Sequence, residues 1–252
     1  MGRVYVFVNQ KGGVGKTTSA INLGAYIAEA GKSVLLVDFD SQGNLSGGVG
    51  IESVKPGVYE LISGTASIDQ VVRKTGIPRL SVIPASIDLS GAAVELIEQE
   101  ERDFFLKKAL EPVRNSYDYI LIDCPPSLGV LTLNGLVAAN AVFIPMQCEY
   151  FAMEGLSLLI QTVKRIQKNL NPGLRVGGIF FTMYDQRTRL AQEVVKQVTV
   201  YFKDRVFRTI IPRNVRLSEA PSHGMAISQY DPSSTGAQSY RSLAKEVIER
   251  GA

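Results

Sequence analysis

The chain has 252 residues, 45% apolar and 20% charged, with a net charge of +3, two cysteines, one histidine and no tryptophan. This is the composition of a soluble globular protein with enough apolar residues for a sizeable core; it excludes a disordered chain, a repeat array, a disulfide scaffold and a cysteine zinc centre. No uninterrupted apolar run approaches the ~20 residues of a spanning helix and no cationic leader precedes the first apolar stretch, so the expectation is a cytoplasmic protein with Cys124 and Cys148 as reduced thiols.

The first element is the apolar run VYVFV (4–8), which lacks polar alternation and so reads as a strand buried on both faces. It runs into NQKGGVGKTT (9–18) and a helical pattern over 16–30. Gly12, Gly13 and Gly15 let the backbone curl until its N–H groups face phosphate oxygens, with Val14 and Thr18 completing the loop. Lys16 supplies a point charge to the β- and γ-phosphates, Thr17 a hydroxyl for Mg²⁺, and the start of the helix a positive dipole end. The loop departs from the ordinary phosphate-binding pattern twice. Gln10 stands where that pattern has its first glycine, and Lys11 is a second lysine that one nucleotide does not need.

The second strand, SVLLVD (33–38), is followed by Asp40, which in extended geometry shares a face with Asp38. LSVIPA (80–85) is a third strand and 99–114 a helical pattern. YDYILID (117–123) ends on Asp123, the right place for an acid that binds Mg²⁺ through water. Asp38 and Asp40, each taken alone, also look like solvated strand-end carboxylates. Beyond lie a helix over 130–139, the strand AVFIPM (141–146), a helix over 152–169, the strand VGGIFF (176–181), a helix over 187–202, the strand VFRTIIP (206–212) and a last helix over 234–250. Alternating strands and helices predict one α/β domain over 1–252, a phosphate-loop NTPase with a mostly parallel twisted sheet flanked by helices on both faces. Ligands of such sheets bind beyond the carboxyl ends of the strands, which is where the glycine loop, Asp38, Asp40 and Asp123 all fall.

Charge is unevenly spread. Residues 1–125 carry 12 Lys+Arg against 15 Asp+Glu, and residues 126–252 carry 15 against 9. The surplus concentrates in 187–216, where Arg187, Arg189 and Arg216 are the first candidates for phosphate contacts with DNA. No basic stripe interleaved with aromatics points to base readout. His223, without a second histidine or a cysteine cluster, reads as structural. Met183 and Tyr184 follow a strand, where lining a base pocket and ordinary packing both account for them.

Taken together, KGGVGKTT, LLVDFDSQGN, YILIDCPPSLG, FTMYD and IIPRNVRLSEAPSHG resemble the ParA/Soj family of chromosome- and plasmid-partitioning ATPases along the whole chain. The form resembled is the short one, without the N-terminal helix-turn-helix segment of longer relatives. One departure is visible: Ser41 stands where relatives usually have proline. The resemblance implies MgATP in the loop and two subunits closed face to face around two ATP molecules. It gives Lys11 a reach to the partner's phosphates, Asp40 the attacking water, Asp38 and Asp123 support of Mg²⁺, and Pro212 and Asn214 the adenine. It further implies an ATP-dependent homodimer on non-specific double-stranded DNA, located at the nucleoid, with hydrolysis stimulated by a ParB/Spo0J-like centromere-binding partner.

Relatives with the two-lysine loop supply the alternatives. A MinD-like membrane ATPase should end in a strongly amphipathic basic helix. The tail SYRSLAKEVIERGA instead has a modest stripe of Tyr240, Leu243, Ala244, Val247 and Ile248 beside Glu246 and Glu249, as in a helix docked on its own domain. An iron–sulfur electron carrier needs bridging cysteines in a different setting from Cys124 and Cys148. A small-molecule ligase lacks a visible carboxylic-acid pocket. A scaffold that binds ATP without turnover is disfavoured by the presence of all three acids.

Overall fold

The computed structural model describes residues 2–52, 55–86 and 88–251. Met1 and Ala252, the outer bounds expected for the domain, lie outside the described residues. Strands β1 (Arg3–Phe7), β2 (Val34–Asp38), β3 (Arg73–Lys74), β4 (Leu80–Ile83), β5 (Tyr119–Asp123), β6 (Ala141–Gln147) and β7 (Arg175–Thr182) form one sheet. Its order is β3-β4-β2-β5-β1-β6-β7, and every pairing is parallel except β3 with β4. The central strands are apolar on both sides, so each face carries a core. Val4, Val6, Leu35 and Val37 point into one core; Tyr5, Phe7, Val34 and Leu36 point into the other.

Five helices of nine residues or more occur among the described residues: α1 (Lys16–Glu29), α2 (Val130–Ala138), α3 (Ala152–Asn169), α4 (Arg189–Phe202) and α5 (Thr235–Arg250). α2, α3 and α4 cover the first face and α1 and α5 the second. Tyr240, Leu243, Ala244 and Val247 of α5 are buried there, with Tyr240 Oη and Ser19 Oγ of α1 hydrogen-bonded at 2.9 Å. The apolar stripe of the tail is therefore consumed by the chain's own core. Cys124 serves packing: a Cβ on Gly135 of α2 would come within 2.6 Å of its sulfur, so only glycine lets the helix lie this close to β5.

Two expectations need correction. Residues 206–212 are not a strand. Phe207 and Ile211 donate to the carbonyls of Ile179 and Phe181 on β7, both at 2.8 Å, but the ladder breaks between them. There the N–H groups of Arg208 and Thr209 turn to the carboxylate of Glu246 on α5 instead, at 2.9 and 3.1 Å. The seventh strand is β3, a charged two-residue piece that carries no apolar signal. The helix expected over 99–114 shrinks to Phe105–Leu110 with a 3-10 turn at Glu111–Val113. Glu101 sits in the left-handed region at φ 57°, and Pro112 lacks the N–H that would continue the helix.

Candidate nucleotide site and basic surface

The glycine loop joins β1 to α1 at the carboxyl edge of the sheet. Gly13 and Gly15 have φ of 72° and 85°, a backbone that L side chains rarely adopt, and Gly15 caps α1 without any side-chain cap. The first amides of α1 are thereby left for an anion. Neighbouring strands hold the loop from outside. Thr182 at the end of β7 donates its hydroxyl to the Val14 carbonyl at 2.8 Å, Gln147 of β6 donates to the Gly13 carbonyl at 3.0 Å, and Asn9 donates to the Pro145 carbonyl at 2.8 Å.

Lys16 is buried at 6% exposure, its ammonium 3.5 Å from the Lys11 carbonyl. Burial lowers its pKa, while Asp123, Cys124 and Asp40 oppose that shift. Thr17 donates its hydroxyl to Asp123 Oδ2 at 2.6 Å. Asp123 and Asp38 end adjacent strands in register. Burial, and then the neighbouring Asp38, push Asp123 up to about 8 against the pull of Thr17 and Lys16. Burial alone is the main cause that raises Asp38 to about 6, against its hydrogen bonds to Ser46. Two carboxyls forced up side by side form a place where positive charge is missing, and added cations relieve that cost.

The residues fit a Mg²⁺. Asp123 Oδ1 is buried without a hydrogen-bond partner, next to the Thr17 hydroxyl. Asp38 is differently placed: Oδ2 accepts from the N–H and hydroxyl of Ser46 at 2.7 and 2.6 Å, and Oδ1 from the Asp40 N–H at 3.4 Å. Its lone pairs are largely used, which suits a role one water removed. Among the described residues no group of three or more His, Cys, Asp or Glu is arranged to hold a metal, so a Mg²⁺ here would take its remaining ligands from phosphates and water. The shared face expected for Asp38 and Asp40 is not kept, because β2 ends at Asp38. Asp40 opens a turn, accepting from the Gln42 N–H at 3.1 Å, and is partly exposed beside the loop.

Lys11 points away from the loop. Half-exposed, its ammonium is ion-paired with the equally exposed Glu149 that follows β6. Between this pair and the N-terminus of α3 lies a mainly apolar groove of about 440 Å³, lined in part by Phe151, which is 71% exposed. Pro212 bridges to Tyr184, and Asn214 is engaged with Thr235 Oγ1 at 2.8 Å and with the Arg216 N–H at 2.9 Å. Met183 is held in the left-handed region at φ 51°, its sulfur accepting from Gln147 at 2.8 Å. Ser46, Glu149 and Thr182 were missed in the sequence reading. The signal was there for two of them: Thr182 and Glu149 end or follow strands at this same edge.

The three arginines first assigned to DNA are not equivalent. Arg187 makes a two-pronged pair with Asp185, at 2.9 and 2.7 Å. Arg216 is shared by Glu219 at 2.8 Å and Asp231 at 3.6 Å. Arg189, at the start of α4, is exposed and among the described residues is in no ion pair.

Comparison with known proteins places these features in context. The AAA domain family model matches residues 2–176. The chain is 66% identical over 250 residues to the chromosome-partitioning ATPase Soj of Treponema pallidum (strain Nichols), covering 99% of this chain and 98% of that protein. It is 53% identical over 253 residues to the sporulation initiation inhibitor protein Soj of Bacillus subtilis (strain 168), covering both chains in full. Among solved structures it is similar to cobyrinic acid a,c-diamide synthase of Mycobacterium smegmatis with bound ADP and magnesium. That match has a TM-score of 0.87 and 36% identity, and covers 100% of this chain and 96% of the other.

Proposed function

The chain belongs to the ParA/Soj family of partitioning ATPases, and from that premise we propose an ATP-driven DNA-binding switch: MgATP closes a homodimer, the dimer holds non-specific duplex DNA, and hydrolysis releases it. The protein is an ATP hydrolase that uses ATP and Mg²⁺. The observation that supports the site assignment is the Thr17–Asp123 pair beside buried Lys16, with one Asp123 oxygen unpartnered.

In this reading the amides of Gly12 to Thr18 and the Lys16 ammonium bind the phosphates, and low exposure strengthens both interactions. A bound Mg²⁺ would supply positive charge to offset the phosphates. Thr17 and Asp123 would hold it, and Asp38, itself held by Ser46, would support it through water. Asp40 lies in the turn beside the loop, partly exposed, where its carboxylate orients the attacking water. Pro212 and Asn214 form the wall against adenine.

Lys11 is the residue that makes the dimer necessary. Its side chain leaves its own loop, so its charge is available to a neighbour's phosphates once it parts from Glu149. Both members of that pair are about half exposed, so separating them costs only about 0–1 kcal/mol. A ParB-like partner then accelerates hydrolysis, and the cycle serves chromosome or plasmid partition at the nucleoid.

A MinD-like cargo reading on a membrane would need a free amphipathic face at the tail, and α5 spends its apolar stripe on α1. No helix of the described residues is long and apolar enough to cross a membrane. The name of the structural relative raises an amide-forming reading; the higher identity to the Soj proteins and the basic C-terminal half favour partition. A DNA-retardation assay with ATP, with ADP and without nucleotide tests the proposal. Retardation by ATP alone is expected, and equal retardation in all three conditions would remove the switch.

A further inference from the structure

β2 ends on Asp38, and the chain then crosses the carboxyl edge of the sheet before it re-enters the core. Phe39 is wholly buried and donates its N–H to the Asp123 carbonyl at 2.9 Å. Further on, Leu45 and Ser46 are wholly buried again, in the short helix Asn44–Gly48. Between these two anchors lies the turn that carries Asp40. It is closed by the Gly43 N–H on the Asp40 carbonyl at 3.0 Å, and Asp40, Ser41, Gln42 and Asn44 are all partly or fully exposed. The ends of this segment are packed and its middle is not.

One carboxylate meets both ends. Asp38 Oδ1 accepts from the Asp40 N–H at 3.4 Å, a long contact, and Oδ2 accepts from the N–H and the hydroxyl of Ser46 at 2.7 and 2.6 Å. Ser46 Oγ in turn accepts from the N–H of Ala85, just beyond β4, at 3.2 Å. A hydroxyl has a single proton to give. Because the Ala85 N–H occupies the acceptor side of Ser46, that proton is left for Asp38. Donation therefore runs from Ala85 to Ser46 to Asp38, and all three residues are wholly buried. The short helix is also packed down on α1: a Cβ on Gly48 would come within 2.4 Å of Ile21 Cδ1, a contact that only glycine allows.

We propose that Ser46 is a positioning residue for ATP hydrolysis: its hydroxyl clasps Asp38 to the far end of the turn and so fixes where Asp40 presents its carboxylate to the attacking water. The inference rests on the reading of Asp40 given above. The partners of the Ser46 side chain are Asp38 and Ala85, while the phosphates are gripped by the glycine loop and Lys16. A loosened clasp should therefore slow hydrolysis and spare nucleotide binding. A reacting group misplaced by about 1 Å can cost on the order of 10² in rate. Ser46→Ala keeps the backbone N–H that also donates to Asp38, so its loss should be smaller than that.

The test is a double-mutant cycle. Single-turnover ATP hydrolysis, with protein in excess over ATP, is measured for the unaltered chain, Ser46→Ala, Asp40→Ala and the double variant. Nucleotide affinity is read with a fluorescent ATP analogue, and stability by thermal melting. Ser46→Ala alone should slow hydrolysis on the order of tenfold with affinity within about threefold. In the Asp40→Ala background the same change should slow it no more than about twofold, while the melting temperature falls by the same few degrees in both backgrounds. Ser46→Thr, which keeps the hydroxyl, should hydrolyse ATP within about threefold of the unaltered rate. Equal losses of rate in both backgrounds would mean that Ser46 does not act through Asp40 and would overturn the proposal. A loss confined to affinity would do the same, as would a Ser46→Thr chain as slow as Ser46→Ala. If Ser46→Ala does not fold, Ser46→Cys takes its place in the cycle, since it keeps the shape and donates only weakly. Full turnover by Asp40→Ala would instead remove the reading of Asp40 on which the clasp depends.

Discussion

At the carboxyl edge of the sheet Lys16, Asp38 and Asp123 are each less than a tenth exposed and are engaged by the phosphate loop, the short helix at Asn44–Gly48 and α1; along α4 and just beyond it, Arg189, Lys203 and Arg205 stand in solvent. The first region concentrates charge in a low-dielectric pocket, where burial is the largest shift on each group and Asp123 is also moved by both Asp38 and Lys16. The second spreads charge over a surface, where water and salt screen each member from the next. A buried charge cluster should answer substitution in an all-or-none way, and an exposed one by small, additive, salt-dependent steps.

The largest effect is expected at Lys16. Lys16→Ala should lower ATP turnover by on the order of 10²–10³ and abolish nucleotide binding, read by phosphate release and by a fluorescent ATP analogue. Turnover within tenfold of the unaltered protein would erase the contrast between the two regions. Next, Asp40→Ala should keep ATP binding but lose on the order of 10² in turnover, leaving a dimer that stays on DNA. Rapid release of DNA by that variant would take the attacking water away from Asp40.

Thr182→Val separates positioning from chemistry. It removes the hydroxyl that braces the Val14 carbonyl, so thermal melts should show a loss of about 1 kcal/mol and ATP affinity should weaken several-fold. Unchanged melting and affinity would show that the loop needs no brace from β7.

Glu246 tests the other region. Burial pushes its carboxyl up, but the N–H groups of Arg208 and Thr209, the Thr209 hydroxyl and Arg250 together outweigh that and hold it below its ordinary value of 4.5. Its stabilising contribution is therefore complete above that value and fades as pH falls through the lower folded one. Glu246→Gln should cost about 1 kcal/mol in urea unfolding at pH 7, and the gap to the unaltered protein should close below about pH 4. A gap that widens in acid would reverse the assigned direction.

The smallest effect belongs to Glu149. Glu149→Gln should leave stability within about 1 kcal/mol, because the pair with Lys11 is exposed. Releasing Lys11 should move ATP-driven dimerisation, followed by sedimentation, to ATP concentrations lower by up to about fivefold. A dimer that needs more ATP would make Glu149 a partner in the closed state instead of a competitor.

Most of the carboxyl edge was legible because strands announce themselves. YILID and VLLVD are buried runs, so the residue that ends each one lands on a known edge. Ser46 was not legible: it lies eight residues beyond Asp38 and reaches it only because a short helix at Asn44–Gly48 folds back. The strand expected at 206–212 failed for a related reason. Its apolar pattern is real, but Glu246, 38 residues further along, competes for the Arg208 N–H. The basic surface was the least legible. A window of 187–216 leaves out Asp185 and Glu219, which stand just beyond its ends and pair with its outermost arginines. Arg175, twelve residues before that window, joins it across the open edge of β7.

The order of strands and helices, the glycine loop and the acids at strand ends follow from the sequence by itself, because backbone periodicity and strand termini fix where such residues emerge. Which charges remain free is decided only by tertiary structure. Thr17 meets Asp123 across 106 residues, and Lys11 meets Glu149 across 138. Arg175 gathers with Lys203, Arg205 and Arg208, and Arg216 meets Asp231 fifteen residues further along. A side chain's charge is set by its type, but its availability depends on the neighbours that folding brings within a few ångströms.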